Sequence, residues 1–406
     1  MNDKLKRITS YAYGNVEFYR RISQRCNKDI LSLLNNCDWQ QIPLITKEDV
    51  SRNEFEMISD DYKGLYATNQ LITAHTSGSS GIQVDVCWSV QDYYASLIPL
   101  WLERWKQVGI HPRDKVCYFS NVLELGVEFI YEKNALIFSK INLTYDKFLG
   151  VVKEMEKFEP KWLLLHPSIA LLLCEIVENE KIHLTSVKYI ELTGETVYES
   201  LRIRLETLFK CQVKGHYGSM EVNTIGYDRG NNQYMVLNDS TFVEILDDNG
   251  ENVPLGEKGS VFVTSLQNTA MPFIRYSLGD IAMLEEIDGK QIITLEKARK
   301  NESIILRDGT KVNAEVLLTP LVWMSTTGEK MVYKIMAHQK TVDEVDLCFF
   351  VDDEIDRQEF VNYYLSVLDK RLLVNMNFRF EFVTNNVGVS MKNGKMRWFE
   401  GIVSHK

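Results

Sequence analysis

From Lys115 to Gly218 the chain alternates short apolar runs with longer amphipathic ones, and this limits its fold more than any other feature. "KVCYFS", "KWLLLHP", "VKYIEL" and "CQVKGHYG" have the length and side-chain content of buried strands. Between them lie "TYDKFLGVVKEMEKFEP", "PSIALLLCEIVENE" and "VYESLRIRLETLF", whose apolar residues recur at helical spacing. Pro167 falls in the first turn of the second of these, where a missing N–H costs nothing. Short strands alternating with helices predict an α/β layer structure with a mostly parallel sheet.

The flanking segments have other periods. The stretch to about Arg25 reads as amphipathic helix. "SVQDYYASLIPLWLERWKQVG" spaces Val90, Tyr93, Tyr94, Leu97, Trp101 and Trp105 along one helical face. After Glu221, "FVEILDDNGENVPLGEKGSVFVTSL" and "DIAMLEEIDGKQIITLEK" set Asn-Gly and Asp-Gly between β-type runs, which predicts hairpins and an antiparallel subdomain. "EKARKNES" is charged and aperiodic, as a hinge would be. Beyond it "EVDLCFFV", "DRQEFVNYYLSVLDKRL" and "FRFEFV" read as the strand, helix and strand of a small α+β domain.

Bulk properties exclude some functions. A net charge of -10 over 406 residues argues against a nucleic-acid surface. It leaves room for a small anion held by a local cluster of N–H groups. No apolar run nears the ~20 residues that span a bilayer. "MNDKLKRITS" has no apolar core behind its basic residues, so no signal peptide is expected. The seven cysteines are scattered, with no Cys-x-x-Cys pair, and read as reduced thiols of a cytoplasmic protein.

"HTSGSSGIQVDV", residues 75–86, places glycines and hydroxyls between two β-type runs. It lacks the Lys of a Walker loop, and a strand rather than a helix is expected after it, so neither common phosphate motif applies. The segment is open to two uses: a polar hairpin tip, which is the commoner, or an anion nest of backbone N–H groups. Four further segments carry chemistry-bearing residues: "TGE" at 193–195, "HYGSME" at 216–221, "RYSLGD" at 275–280 and "NGKMRW" at 393–398. The first two follow predicted parallel strands, whose carboxyl ends bind ligands in α/β sheets. Singly, each acid or lysine is more often a solvated loop residue.

Taken in order, these segments resemble the adenylate-forming (acyl-CoA synthetase-like) superfamily, most closely the branch of phenylacetate–CoA ligase and its capsule-biosynthesis relatives. "TSGSSG" resembles that family's phosphate loop. "YGSME", "RYSLGD", "ARKNESIILRDG" and "NGKMRW" resemble its later motifs in part, and "NVEFYRRISQ", "IPLITKEDV" and "PKWLLLHPSIALLLCE" also look like that branch. The resemblance spans nearly the whole chain. It implies a large N-terminal adenylation domain, residues 1–298, with mixed sheets and an antiparallel subdomain. A small mobile α+β domain, residues 299–406, would follow and carry Lys395. Thr76, Ser77, Gly78, Ser79, Ser80 and Gly81 would hold the ATP β- and γ-phosphates. Gly194, Glu195, His216, Tyr217 and Gly218 would line the adenine pocket, with Tyr217 stacking near the base. Glu221 would bind Mg²⁺, Asp280 with Arg299 the ribose hydroxyls, and Asn301 would fall at the hinge. Lys395 would reach over the α-phosphate and the attacking carboxylate. Phe119, Phe129 and Tyr131 are candidate walls of an acyl pocket, though ordinary core packing accounts for them equally.

The implied reaction is activation of a carboxylic acid as acyl-AMP, then transfer to a thiol, most simply coenzyme A. Transfer to a carrier-protein thiol or an amine is the alternative within the class. A degenerate nucleotide-binding protein is the alternative outside it, and a homodimer is left open. Departures from the family pattern are Val84 after the loop, Met220 beside Glu221, Ser277 and Leu278 before Gly279, Ala298, and Asn301.

Overall fold

The computed structural model describes residues 2–75, 84–120, 123, 127–140, 143–296, 303–317, 320, 332–351, 355–384 and 398–402. The chain forms two compact units, one of residues 1–109 with 216–296, the other of residues 110–215 with 297–406.

The first unit opens with helices Asp3–Asn15 and Glu17–Cys26, divided where Val16 takes an extended conformation. Asn2 caps the first by accepting from Lys4 N. Ala12, Val16 and Tyr19 are fully buried and join these helices to one core with Trp88, Val263 and Phe273. Strands Ile72–His75 and Asp85–Trp88 pair antiparallel, with His75 opposite Asp85. The serine/glycine segment between them is thus followed by a strand, as its sequence predicts. Helix Val90–Val108 begins only after that strand, from a Ser89 cap.

This helix differs from its expected face. It buries Ser96, Leu100 and Arg104, whereas Val90, Tyr94 and Trp105 are exposed. The reason is a polar close approach. Ser96 Oγ accepts from Asn223 Nδ2, and Ser96 O accepts from the hydroxyls of Thr224 and Ser240. That network fixes the small side of the helix, rather than its bulky side, against strand Asn223–Gly230.

The predicted antiparallel subdomain is present. Its sheet runs in the order Thr241–Leu246, Lys258–Ser265, Tyr276–Ile287, Lys290–Leu295, Gln233–Val236 and Asn223–Gly230, ending with residues 216–219 of strand Gln212–Ser219. Asp288 and Gly289 close the second hairpin with φ of 51° and 69°, as a type I′ turn requires.

The second unit holds the parallel sheet. Tyr189–Thr193, Trp162–Leu165, Val116–Ser120 and Ala135–Ser139 lie side by side in parallel, with Phe129–Glu132 antiparallel at the edge. Helices Tyr145–Phe158, Pro167–Glu180 and Glu199–Phe209 pack on it. The middle helix is buried from Pro167 through Val177, as its unbroken apolar run requires. The chain's last part forms a four-stranded sheet in the order Asn377–Val383, Glu344–Val351, Val332–Thr341 and Phe399–Glu400. It has its own core around Phe349, Phe360 and Tyr364, while Phe350 joins the core of the parallel sheet. No described helix is long and apolar enough to cross a membrane.

Candidate active site

In the first unit, two strand ends carry the chemistry. Strand Gln212–Ser219 delivers His216, Tyr217 and Gly218, and the turn after it holds Glu221. A Cβ on Gly218 would lie 2.1 Å from Asn223 O, so only glycine fits where this turn folds back. The second strand end is Tyr276–Ile287, where Gly279 at φ +77° precedes Asp280.

Two hydrogen bonds tie these ends together. The Tyr217 hydroxyl donates to Asp280 Oδ2 at 2.7 Å, and the Tyr276 hydroxyl donates to Glu221 Oε1 at 2.8 Å. The Tyr217 ring lies 5.9 Å from that of Tyr234. Glu221 is only 6% exposed, so its carboxylate is held in one direction. Ser219 Oγ, two residues earlier, is buried and has no hydrogen-bond partner among the described residues. Met220 turns outward, and its carbonyl accepts from Trp88 Nε1 at 3.2 Å.

Sequence reasoning passed over Ser219 and Tyr276. The signal for Ser219 is a hydroxyl one position from where the family carries one. Arg275, in the same run as Asp280, does something else. It is buried at φ +49°, pairs with Glu244 at 3.0 Å, and donates to Gln40 O and Ile42 O. Burial pushes the Glu244 carboxyl above its usual range, against the opposing pull of Arg275. Arg275 therefore anchors the N-terminal segment and leaves ligand chemistry to Asp280.

In the second unit, Gly194 takes φ +78° at the end of strand Tyr189–Thr193. The next residue, Glu195, accepts from Ser168 N at 2.9 Å and Ser168 Oγ at 2.8 Å. Its carboxylate thus sits on the positive end of helix Pro167–Glu180, directly after the proline that has no N–H to offer. His166, before that helix, is buried, and its Nδ1 lies 2.7 Å from Thr193 O. Its Nε2 lies 2.9 Å from Nζ of Lys140, which is also buried. The Phe119 ring is 4.0 Å from the imidazole and 4.7 Å from that ammonium.

Of the three candidate acyl walls, Phe119 and Phe129 both stand opposite Phe138, on the strands that flank Ala135–Ser139. Phe119 joins Lys140 and His166. Phe129 and Tyr131 stand on the edge strand, 6.0 Å apart, with Tyr131 half exposed and donating to Glu154 Oε2 at 2.8 Å. Lys140 and His166 were not singled out from the sequence, although each is a polar residue directly after a strand ("ALIFSK", "WLLLH"). The expected residues 76–81, Arg299, Asn301 and Lys395 lie outside the described residues. Among the described residues no three His, Cys, Asp or Glu side chains group as a metal cage.

This fold, with these motifs in this order, is similar to that of the adenylate-forming ligases. No protein-family model matches the sequence. Among curated proteins it is similar to CapK of Staphylococcus aureus, 23% identical over 430 residues, spanning 98% of this chain and 87% of that protein. It is also similar to the phenylacetate-coenzyme A ligase of Thermus thermophilus, 24% identical over 420 residues, spanning 96% and 90%. Among solved structures it matches 2-hydroxyisobutyryl-CoA ligase in the postadenylation state with 2-HIB-AMP. There the TM-score is 0.72 at 20% identity, covering 98% of this chain and 88% of that one. An open conformation of the same ligase with 2-HIB-AMP and CoA gives 0.61 at 19% identity, covering 98% and 90%.

Proposed function

We propose that this protein activates a carboxylic acid with ATP as acyl-AMP and then passes the acyl group to the thiol of coenzyme A. One observation carries the reading. The residues that the family resemblance assigns to base, ribose and metal, Tyr217, Asp280 and Glu221, converge on two strand ends that are hydrogen-bonded to each other twice. The likeness to a ligase solved with 2-HIB-AMP and CoA supports it.

In this reading the acid's carboxylate oxygen attacks the α-phosphorus of ATP, and pyrophosphate leaves. The thiol then attacks the acyl carbon, and AMP leaves. Tyr217 stacks on adenine, flanked on its own strand by His216 and Gly218; the family resemblance also assigns Gly194 and Glu195 to the base. Asp280, oriented by the Tyr217 hydroxyl and assisted by Arg299, accepts from the ribose hydroxyls. Backbone N–H groups and hydroxyls of residues 76–81 hold the β- and γ-phosphates. Lys395 neutralises charge that builds where two anions meet.

Glu221 suits a Mg²⁺ ion. It is a hard, buried oxygen donor, one of its oxygens is fixed by Tyr276, and the Ser219 hydroxyl is buried nearby in sequence. Such an ion supplies positive charge to the triphosphate.

Residues 1–298 form the adenylation domain in this reading. Residues 299–406 form the lid that brings Lys395, with Asn301 at the hinge; a core around Phe349 fits this reading, although Phe350 also packs into the core of residues 110–215. The protein is cytoplasmic and takes a small acid. A homodimer fits the exposed stripe Val90, Tyr94, Ile98, Leu102 and Trp105. Two copies of it would bury roughly 1,000 Å², the floor for a specific interface.

Carboxylate-dependent ATP–pyrophosphate exchange tests the activity. Exchange with at least one acid is expected. Retained ATP binding without exchange across a broad acid panel would leave a non-catalytic nucleotide-binding protein. Coenzyme A compared with a carrier-protein thiol identifies the acceptor.

A further inference from the structure

Helix Val90–Val108 is held on one side and bare on the other. Its inner side is fixed by Ser96, which accepts from Asn223, Thr224 and Ser240, and by Asp92, which accepts from Thr269 N and Oγ1. Its outer side from Val90 to Trp105 exposes Val90, Gln91, Tyr94, Ile98, Leu102 and Trp105, and none of them is charged. Ile98 is 56% exposed and Trp105 61%. A solvated helix face ordinarily carries charges, and a contiguous apolar patch marks an interaction site.

The spacing of this row selects its occupant. Val90, Tyr94, Ile98 and Leu102 are four apart, so they form one ridge, of the kind that packs against its like at a crossing angle of about −50°. The ridge also reads nearly the same from either end. Counted outward from Ile98, Tyr94 answers Leu102, and Val90 answers Trp105. An antiparallel copy centred on Ile98 therefore sets an aromatic against an aliphatic side chain on each side of the centre, and Ile98 against itself. A twofold pair needs such a self-complementary surface. Charge favours the same contact. Each copy carries a net charge of -10, so two copies repel least where the surface is uncharged. The ridge on two copies, roughly 1,000 Å², meets the lower bound for a specific interface.

We propose that two copies of this chain pair through helix Val90–Val108, antiparallel, about a twofold axis at Ile98, with Tyr94 against the partner's Leu102. This rests on the reading of the stripe as a homodimer surface and fixes which residues meet. It does not depend on the acid-activating chemistry.

Sedimentation at graded protein concentrations reads the assembly. At about 100 μM the wild type is expected to be a dimer that dissociates on dilution, as small interfaces do. Ile98→Glu sets two carboxylates face to face on the axis and should be monomeric throughout, with an unchanged circular dichroism spectrum, because the side chain is exposed in the single chain. A second variant reads the geometry. Helices packed this way lie about 8–10 Å apart, which brings β-carbons on the axis within disulfide reach. Cys26→Ser and Cys37→Ser first remove the two exposed thiols. In that chain Ile98→Cys should cross-link on mild oxidation about tenfold faster than Ile203→Cys, which is exposed on helix Glu199–Phe209. A monomeric wild type at about 100 μM, or a dimer that survives Ile98→Glu, overturns the interface. Cross-linking at Ile98 no faster than at Ile203 overturns the axis. Pyrophosphate exchange is measured on the same samples. A monomer that exchanges loses the dimer and keeps the ligase reading; a cross-linked dimer without exchange does the reverse.

Discussion

The hydroxyl of Tyr217 donates to Oδ2 of Asp280 across 2.7 Å, although three strands separate theirs in the sheet. The sheet must curl for the two ends to meet. In doing so it joins the ring assigned to adenine with the carboxylate assigned to ribose. A hydrogen bond to a charged group contributes about 1.5–3 kcal/mol. Asp280→Asn is therefore expected to raise the ATP KM by tenfold or more. Tyr217→Phe keeps the ring and loses only the orienting donor, so a smaller rise is expected. The acid KM should stay within about twofold in both variants. Initial rates of pyrophosphate exchange at varied ATP would measure this, and an acid-specific effect would remove Asp280 from the nucleotide.

Gly14 and Gly218 predict opposite signs for one substitution. Gly14 lies inside helix Asp3–Asn15, and an added Cβ there meets nothing within 4 Å. Alanine in its place should stabilise the protein by about 0.5–1 kcal/mol, because glycine loses more conformational freedom on folding. At Gly218 the same Cβ would meet the backbone carbonyl of Asn223 at 2.1 Å. Backbone cannot swing aside like a side chain, so Gly218→Ala should destabilise by about 2 kcal/mol or more and weaken ATP binding. Urea unfolding of both variants decides it; a neutral Gly218→Ala would mean the turn is not built this way.

What local sequence could reveal follows from the range of the forces involved. Strand and helix periodicity in residues 115–218 is local, and the expected elements are observed, although strands Phe129–Glu132 and Ala135–Ser139 were not expected there. So is the Asp288-Gly289 turn, whose positive φ values its residues favour. The strands Asn223–Gly230 and Gln233–Val236 were missed because Gly226, Asp228 and Gly230 dilute their β signal, although the Asn231-Asn232 turn between them marks a hairpin. The two faces of helix Val90–Val108 could not be assigned from spacing, since Ser96 earns its buried place from residues more than a hundred positions away. Arg275 shows the same limit. It sits in a ligand motif, but its partners at residues 40 and 42 make it a structural anchor. Lys140 and His166 become a pair only once the strand order is known.

The cysteines give a pH-dependent prediction. All seven are free, and only Cys26 and Cys37 are exposed. Burial pushes the Cys174 and Cys211 thiols up to about 12 and Cys348 up to about 11, and it also raises Cys87 and Cys117. At pH 8 a disulfide reagent should therefore titrate Cys26 and Cys37 quickly, the half-buried Cys211 and Cys348 slowly, and the buried Cys87, Cys117 and Cys174 only on unfolding. A thiol whose folded pKa lies above its unfolded one favours the fold at low pH. It loses that contribution as pH rises through the folded value. The urea midpoint should thus fall between pH 8 and pH 10.5. A third fast thiol at pH 8, or a flat midpoint, would contradict the burial described here.

The role proposed for Lys395 separates the two half-reactions. In the first, a carboxylate must approach the triphosphate, anion against anion, and a cation at the α-phosphate lowers that barrier. Losing one such preorganised donor typically costs 10²–10³ in rate. In the second, a thiol attacks an acyl-AMP whose charge is already reduced, and a lysine on a lid that has moved away contributes little. Lys395→Ala should therefore lose pyrophosphate exchange by a hundredfold or more while forming thioester from supplied acyl-AMP at close to the wild-type rate. An unchanged melting temperature would show that the loss is chemical. Equal losses in both steps would mean that Lys395 acts on something common to them, such as nucleotide binding, and the adenylating cation would have to be sought elsewhere in the chain.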